Sequence, residues 1–140
     1  MNTKRLILTL LAFAFVFAPQ SPRTAVAEPR NRQHYSAKLI SPKPGDVLMP
    51  GQVVKVEWTS NFPEVDLTMC ETELLLSLDG GVTFTFITSQ RDPMVHFFNW
   101  TVPRSPSKNA VLDIRFGCLG LYPETSSPQV GSSFVISSMD

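Results

Sequence analysis

The chain has 140 residues, 12 basic and 12 acidic, 43% of them hydrophobic, with two cysteines and two histidines. Charge so balanced and so evenly spread lacks the basic stripe of a nucleic-acid binder, and that partner class is excluded. The histidines, His34 and His96, leave little material for catalysis or metal binding.

The amino terminus reads as an export signal. Lys4 and Arg5 precede an uncharged apolar run from Leu6 to Ala18, too short to span a bilayer, and Pro19 and Pro22 break it. Ala25-Val-Ala27 is a small-x-small cleavage site, so residues 1–27 are the expected signal and Glu28 the expected first mature residue. Cleavage removes Lys4, Arg5 and Arg23, which takes the basic residues from 12 to 9 against 12 acidic ones, a net charge of −3. No membrane span is expected after cleavage, and the product should be secreted or periplasmic. Residues 28–36 are polar and aperiodic, a flexible lead-in to a domain over 37–140.

From Ala37 the pattern is apolar runs between turn signals. Lys38-Leu-Ile-Ser41 stops at Pro42 and Pro44, and Val47-Leu-Met49 stops at Pro50-Gly51. In the next run Val54, Val56 and Trp58 alternate with Lys55, Glu57 and Thr59, an inward and an outward face. Leu74, Leu76 and Leu78 repeat the inward phase. Asp79-Gly80-Gly81 then turns the chain into Thr83–Ile87, a hairpin whose turn needs positive φ. A strand over His96–Val102 follows. Ala110, Leu112, Ile114 and Phe116 share one face of the next, and Ser132–Ile136 is the last. About seven short strands without a helix predict an all-β sandwich of the immunoglobulin or fibronectin III type.

Six segments carry a family resemblance: Ile40-Ser-Pro-Lys-Pro-Gly-Asp46, Gly51-Gln-Val-Val-Lys-Val-Glu-Trp58, Leu76-Ser-Leu-Asp-Gly-Gly-Val-Thr-Phe84, Asn99-Trp-Thr-Val-Pro103, Leu112-Asp-Ile-Arg-Phe116 and Ser133-Phe-Val-Ile136. Together they resemble secreted bacterial immunoglobulin-like modules, and are similar to the amino-terminal domain of fungal cell-wall β-glucan assembly proteins. The resemblance implies the sandwich fold and a place in the cell envelope, since such modules accompany large secreted enzymes or surface proteins. Within it, Ser77-x-Asp79-x-Gly81-x-Thr83-Phe84 looks like an Asp-box, a hairpin motif that generally serves structure through side-chain-to-backbone bonds.

In such a sandwich Cys70 and Cys118 stand at the start of strand C and the end of strand F, neighbours in one sheet. They are expected to form a disulfide at one end, as an even cysteine count in an exported chain suggests. A metal or redox pair lacks the C-x-x-C spacing. His96, Asp92 and a serine have no nucleophile elbow around them. Glu64, Asp66, Glu71, Glu73 and Asp79 match no calcium loop or carboxylate pair. The chain is therefore read as no enzyme, with no cofactor and no metal. Asn99-Trp-Thr101 is a glycosylation sequon inside a predicted strand, discounted for a bacterial module.

Binding has two candidate places. On the hairpin, Phe84 and Phe86, with Phe97, either form an exposed platform for sugar rings or lie partly buried under loops. At the disulfide end, the loops over 59–69 and 119–131 carry Phe62, Glu64, Asp66, Leu121, Tyr122 and Glu124. These either meet a partner or close over the end as a cap. The expected function is a non-catalytic interaction or structural module binding an envelope protein, as a monomer. The alternative is a module binding cell-wall polysaccharide.

Overall fold

A computed structural model describes residues 34–139 of the chain. The expected signal, its cleavage site and residues 28–33 of the lead-in lie outside them. Nine strands build the domain: β1 (Ser36–Ser41), β2 (Val47–Leu48), β3 (Val53–Asn61), β4 (Cys70–Ser77), β5 (Thr85–Phe86), β6 (Phe97–Thr101), β7 (Ser107–Cys118), β8 (Tyr122–Thr125) and β9 (Phe134–Ile136). They form two sheets, one ordered β1-β3-β6 and the other β2-β9-β7-β4-β5, with β8 beside β7. This is the all-β sandwich the alternation predicts, with β1-β3-β6 and β9-β7-β4 in the places of A-B-E and G-F-C. Among the described residues no helix is long and apolar enough to cross a membrane.

Alternation explains the core. Val56 and Trp58 of β3, Trp100 of β6, Leu74 and Leu76 of β4, Ala110, Leu112 and Ile114 of β7, and Phe134 and Ile136 of β9 meet between the sheets. Trp100 packs edge-on against Phe134 with ring centres 6.1 Å apart, the geometry favoured by aromatic quadrupoles. Leu78 does not join them. It is 40% exposed, because β4 ends at Ser77 and the chain has already left the sheet. Instead Leu75, on the opposite face of β4, is buried, as are Val111 and Asp113 on that face of β7.

The 78–84 loop accounts for part of this outer burial. The expected hairpin is reduced: β5 is two residues long and pairs Phe86 with Leu75 and Thr85 with Leu76. Ser77 Oγ donates to Asp79 Oδ1 at 2.6 Å, and Asp79 accepts from the Val82 and Thr83 N–H groups and the Thr83 hydroxyl. Gly80 and Gly81 have φ of 80° and 96°, values that L side chains rarely adopt. A Cβ on Gly81 would stand 3.3 Å from Val130, 3.8 Å from Phe84 and 4.0 Å from Val111. The Asp-box turn thus sits on the outer sheet face and brings Phe84 with it.

The stretch after β7, expected as a loop over 119–131, returns along that strand. β8 pairs at Phe116 and Cys118, Gln129 N–H donates to Leu112 O at 2.8 Å, and β9 pairs at Ala110 and Ser107. Its side chains reach the other sheet. Gln129 Oε1 accepts from Leu39 N–H at 2.9 Å while its Nε2 donates to Ala37 O at 3.0 Å. Ser127 Oγ accepts from Ala37 N–H, and Tyr122 Oη accepts from Tyr35 N–H, both at 3.0 Å. The edge strand β1 therefore spends its outward backbone groups on side chains, which denies that edge to another chain. Tyr35, within the expected lead-in, is itself buried. At the other end β2 runs parallel to β9, bound through Gly45 N–H to Ser133 O, Val135 N–H to Asp46 O and Ser137 N–H to Leu48 O.

Cys70 and Cys118 are bonded, each directly opposite the other in the β4–β7 ladder. The bridge closes 48 residues, so reduction should lower unfolding free energy by up to about 4 kcal/mol on the chain-entropy model. Denaturant titration with and without reductant measures it; identical midpoints would refute the assignment. Gln129→Leu should cost about 1–3 kcal/mol, because it strands the Leu39 N–H and weakens the bonding of Ala37 O. A midpoint unchanged from wild type would show that water replaces the amide.

Candidate interaction surface at the disulfide end

On the outer face of the larger sheet, strand phase sets Glu71 opposite Gly117 and Glu73 opposite Arg115. β8 adds Glu124. It can approach because residue 117 is glycine: a Cβ there would lie 3.2 Å from the Glu124 Cα. Arg115 donates from Nε to Asp113 Oδ2 at 2.9 Å and from Nη1 to Glu124 Oε1 at 3.0 Å. Its guanidinium also lies 5.8 Å from the centre of the Phe86 ring. The result is an open groove of ≈ 500 Å³ whose walls include Glu71, Glu73, Gln90, Arg115 and Glu124.

Its field is negative. The one guanidinium is already engaged by two carboxylates, whereas Glu71 and Glu73 have no ion-pair partner among the described residues. Partial desolvation and the neighbouring charges of Glu71 and Glu124 hold the Glu73 carboxyl above its ordinary range, against the pull of Arg115.

The groove opens onto an apolar tip. Leu119 N–H donates to Met69 O at 3.3 Å, and Leu121 N–H donates to Cys118 O at 3.1 Å across the Gly120 turn. Met69 is 54% exposed, Leu119 85% and Leu121 53%. Met94, also exposed, borders a second cleft with Leu67 and Cys70. Beneath the tip Phe116 is wholly buried, with its ring centre 4.9 Å from Tyr35, 5.0 Å from Phe62 and 5.7 Å from Tyr122. Burial pushes the Tyr35 phenol well above its ordinary value, and it donates to Ile114 O at 3.1 Å.

Phe62 and Tyr122 are thus half-buried supports of the disulfide end. Leu121, Glu64, Asp66 and Glu124 are exposed there. Asp66 caps the turn over Leu67–Met69 by accepting from Thr68 N–H at 3.0 Å. On the hairpin, Phe84 is half-buried and Phe86 is 58% exposed. Phe97 stands on β6 in the other sheet, with Lys55 Nζ 5.1 Å from its ring centre. The three phenylalanines are therefore spread over two sheets and do not share one sheet face. Asp92 accepts from Met94 N–H at 2.8 Å, and His96 stacks on Phe62 with ring centres 6.0 Å apart. Among the described residues no three His, Cys, Asp or Glu side chains are grouped to hold a metal ion.

Sequence reasoning passed over Met69, Leu119 and Arg115. The available signal was the apolar pair either side of Gly120, which has no place in a core strand. Searches with the sequence find no matching family model and no matching curated protein.

Two carboxylates should give opposite pH effects. Glu73 has a raised value, so its contribution to stability is present below about pH 4.3 and is lost as pH rises through the folded value. Glu73→Gln should therefore raise the melting temperature at pH 7 and leave it unchanged near pH 3. Asp79 is lowered by the Ser77 and Thr83 bonds. Its contribution is present above about pH 3.9 and is lost as pH falls, so Asp79→Asn should destabilise at pH 7 and not at strongly acid pH. Thermal melts across that range check both; matching shifts at the two pH extremes would refute the assignments.

Proposed function

We propose that the protein is an exported, non-catalytic interaction module of the cell envelope, of the secreted bacterial immunoglobulin-like kind, that binds a protein partner through its disulfide end. The observation that carries this reading is the exposure of Met69, Leu119 and Leu121 together on a braced scaffold end. Exposed apolar side chains that cluster, rather than scatter, are the mark of a contact surface. Loops held on a rigid frame are where binding concentrates. The Cys70–Cys118 bond favours an oxidising compartment. Four of the carboxylates that could suggest catalysis have structural duties: Asp66 and Asp92 cap turns, Asp79 locks the Asp-box loop, and Glu124 holds Arg115.

The carbohydrate reading rests on the exposed rings of Phe86 and Phe97. It is weaker because the two rings belong to different sheets and each has a cation over it, Arg115 and Lys55 respectively. Paired substitutions separate the readings. Leu119→Ser with Leu121→Ser should abolish recovery of a protein from envelope extract. Phe86→Ala with Phe97→Ala should leave that recovery intact. Retention on insoluble glucan, chitin or peptidoglycan that is lost only in the phenylalanine pair would establish the carbohydrate reading instead.

A further inference from the structure

We infer that the segment docking on this tip is a cationic stretch of a partner protein, in which lysine or arginine flanks aliphatic side chains. The inference rests on the interaction reading above and names the chemistry of the partner. Met69, Leu119 and Leu121 offer thioether and aliphatic surface without an aromatic face, which suits aliphatic side chains and not the stacking of a sugar ring. Immediately beside them, Met69 and Leu119 also line the groove that contains Glu71 and Glu73. Neither carboxylate has an ion-pair partner among the described residues.

Charge decides between the possible occupants. An apolar tip alone could enter a lipid surface, but anionic headgroups would meet Glu71, Glu73 and Glu124, with Arg115 already bound to two carboxylates. A second copy related by a two-fold axis would bring the same acidic groove and its image together, at a repulsive cost. A lysine or arginine entering the groove meets complementary charge and relieves the crowding around Glu73. Aliphatic neighbours of that side chain then fall on Leu119 and Met69. Binding should strengthen as pH rises through the raised Glu73 value, and weaken as salt is added.

The test pans a random-peptide phage library on the disulfide-bonded protein, with counter-selection on Leu119→Ser/Leu121→Ser. Both leucines are exposed, so that variant should keep the wild-type melting temperature. Expected peptides combine lysine or arginine with leucine, isoleucine or methionine. They should lose affinity about tenfold on Glu71→Gln/Glu73→Gln, as loss of a charge-assisted contact implies. Selected peptides without positive charge, or with affinity indifferent to those glutamates, overturn the inference. So does wild-type binding to phosphatidylglycerol vesicles, or dimerisation in sedimentation, that Leu119→Ser abolishes. Peptides that map to the Phe86 surface overturn the tip as the site while leaving a protein-binding module in place. An empty selection together with an empty envelope recovery defeats both readings.

Discussion

The pairing of β4 with β7, from Cys70 opposite Cys118 to Ser77 opposite Val111, governs which face every side chain of the larger sheet takes. Side chains alternate with period two, so a slip of β4 by one residue against β7 would carry Glu71 and Glu73 into the core and bring Leu74 out. It would also part the cysteines. The disulfide therefore fixes the register as well as limiting the unfolded chain. Both surfaces at that end follow from it: the acidic groove lies on the outward phase, and the Phe116 ring that supports the tip lies on the inward one.

Much of the sandwich was legible because burying one face writes alternation into the sequence. Val56 and Trp58, Leu74 and Leu76, and Ala110, Leu112, Ile114 and Phe116 read inward and are inward. The nearness of the two cysteines followed from neighbouring strands in one sheet. Elements with no face of their own to bury were not legible. Tyr122-Pro-Glu-Thr125 has no apolar alternation and becomes a strand only because β7 offers a free edge. Leu75 and Val111 are buried on the outer face, where the loop that carries Gly81 and Phe84 lies against Val111, a contact set by folding and invisible to strand periodicity.

The candidate surface was half legible for the same reason. Phe62 and Tyr122 stand out as aromatic residues in expected loops, yet the exposure of Phe62 is decided by Tyr35 and Phe116, far from it in sequence, and that of Tyr122 by its bond to the distant Tyr35 as well as by the nearby Phe116 ring. Leu119 and Met69 read as ordinary apolar residues. They are displayed because the tight turn at Gly120 and the short turn over Leu67–Met69 leave nothing above them to pack against. Two kinds of turn thus have opposite uses in this fold: the Asp-box loop covers the outer sheet face, and the Gly120 turn leaves its leucines bare.

The parallel contact between β2 and β9 has a mechanical consequence. The described chain enters near the tip at Tyr35 and leaves beyond β9 at the opposite end. Tension between those ends draws β2 toward its beginning and β9 toward its close, along one axis in opposed senses. The bonds at Gly45, Val135 and Ser137 run across that axis, so they are strained together in shear rather than unzipped one after another. A domain built this way resists being pulled out by its ends better than its short terminal strands suggest, a useful property wherever one end is held and the other is tugged.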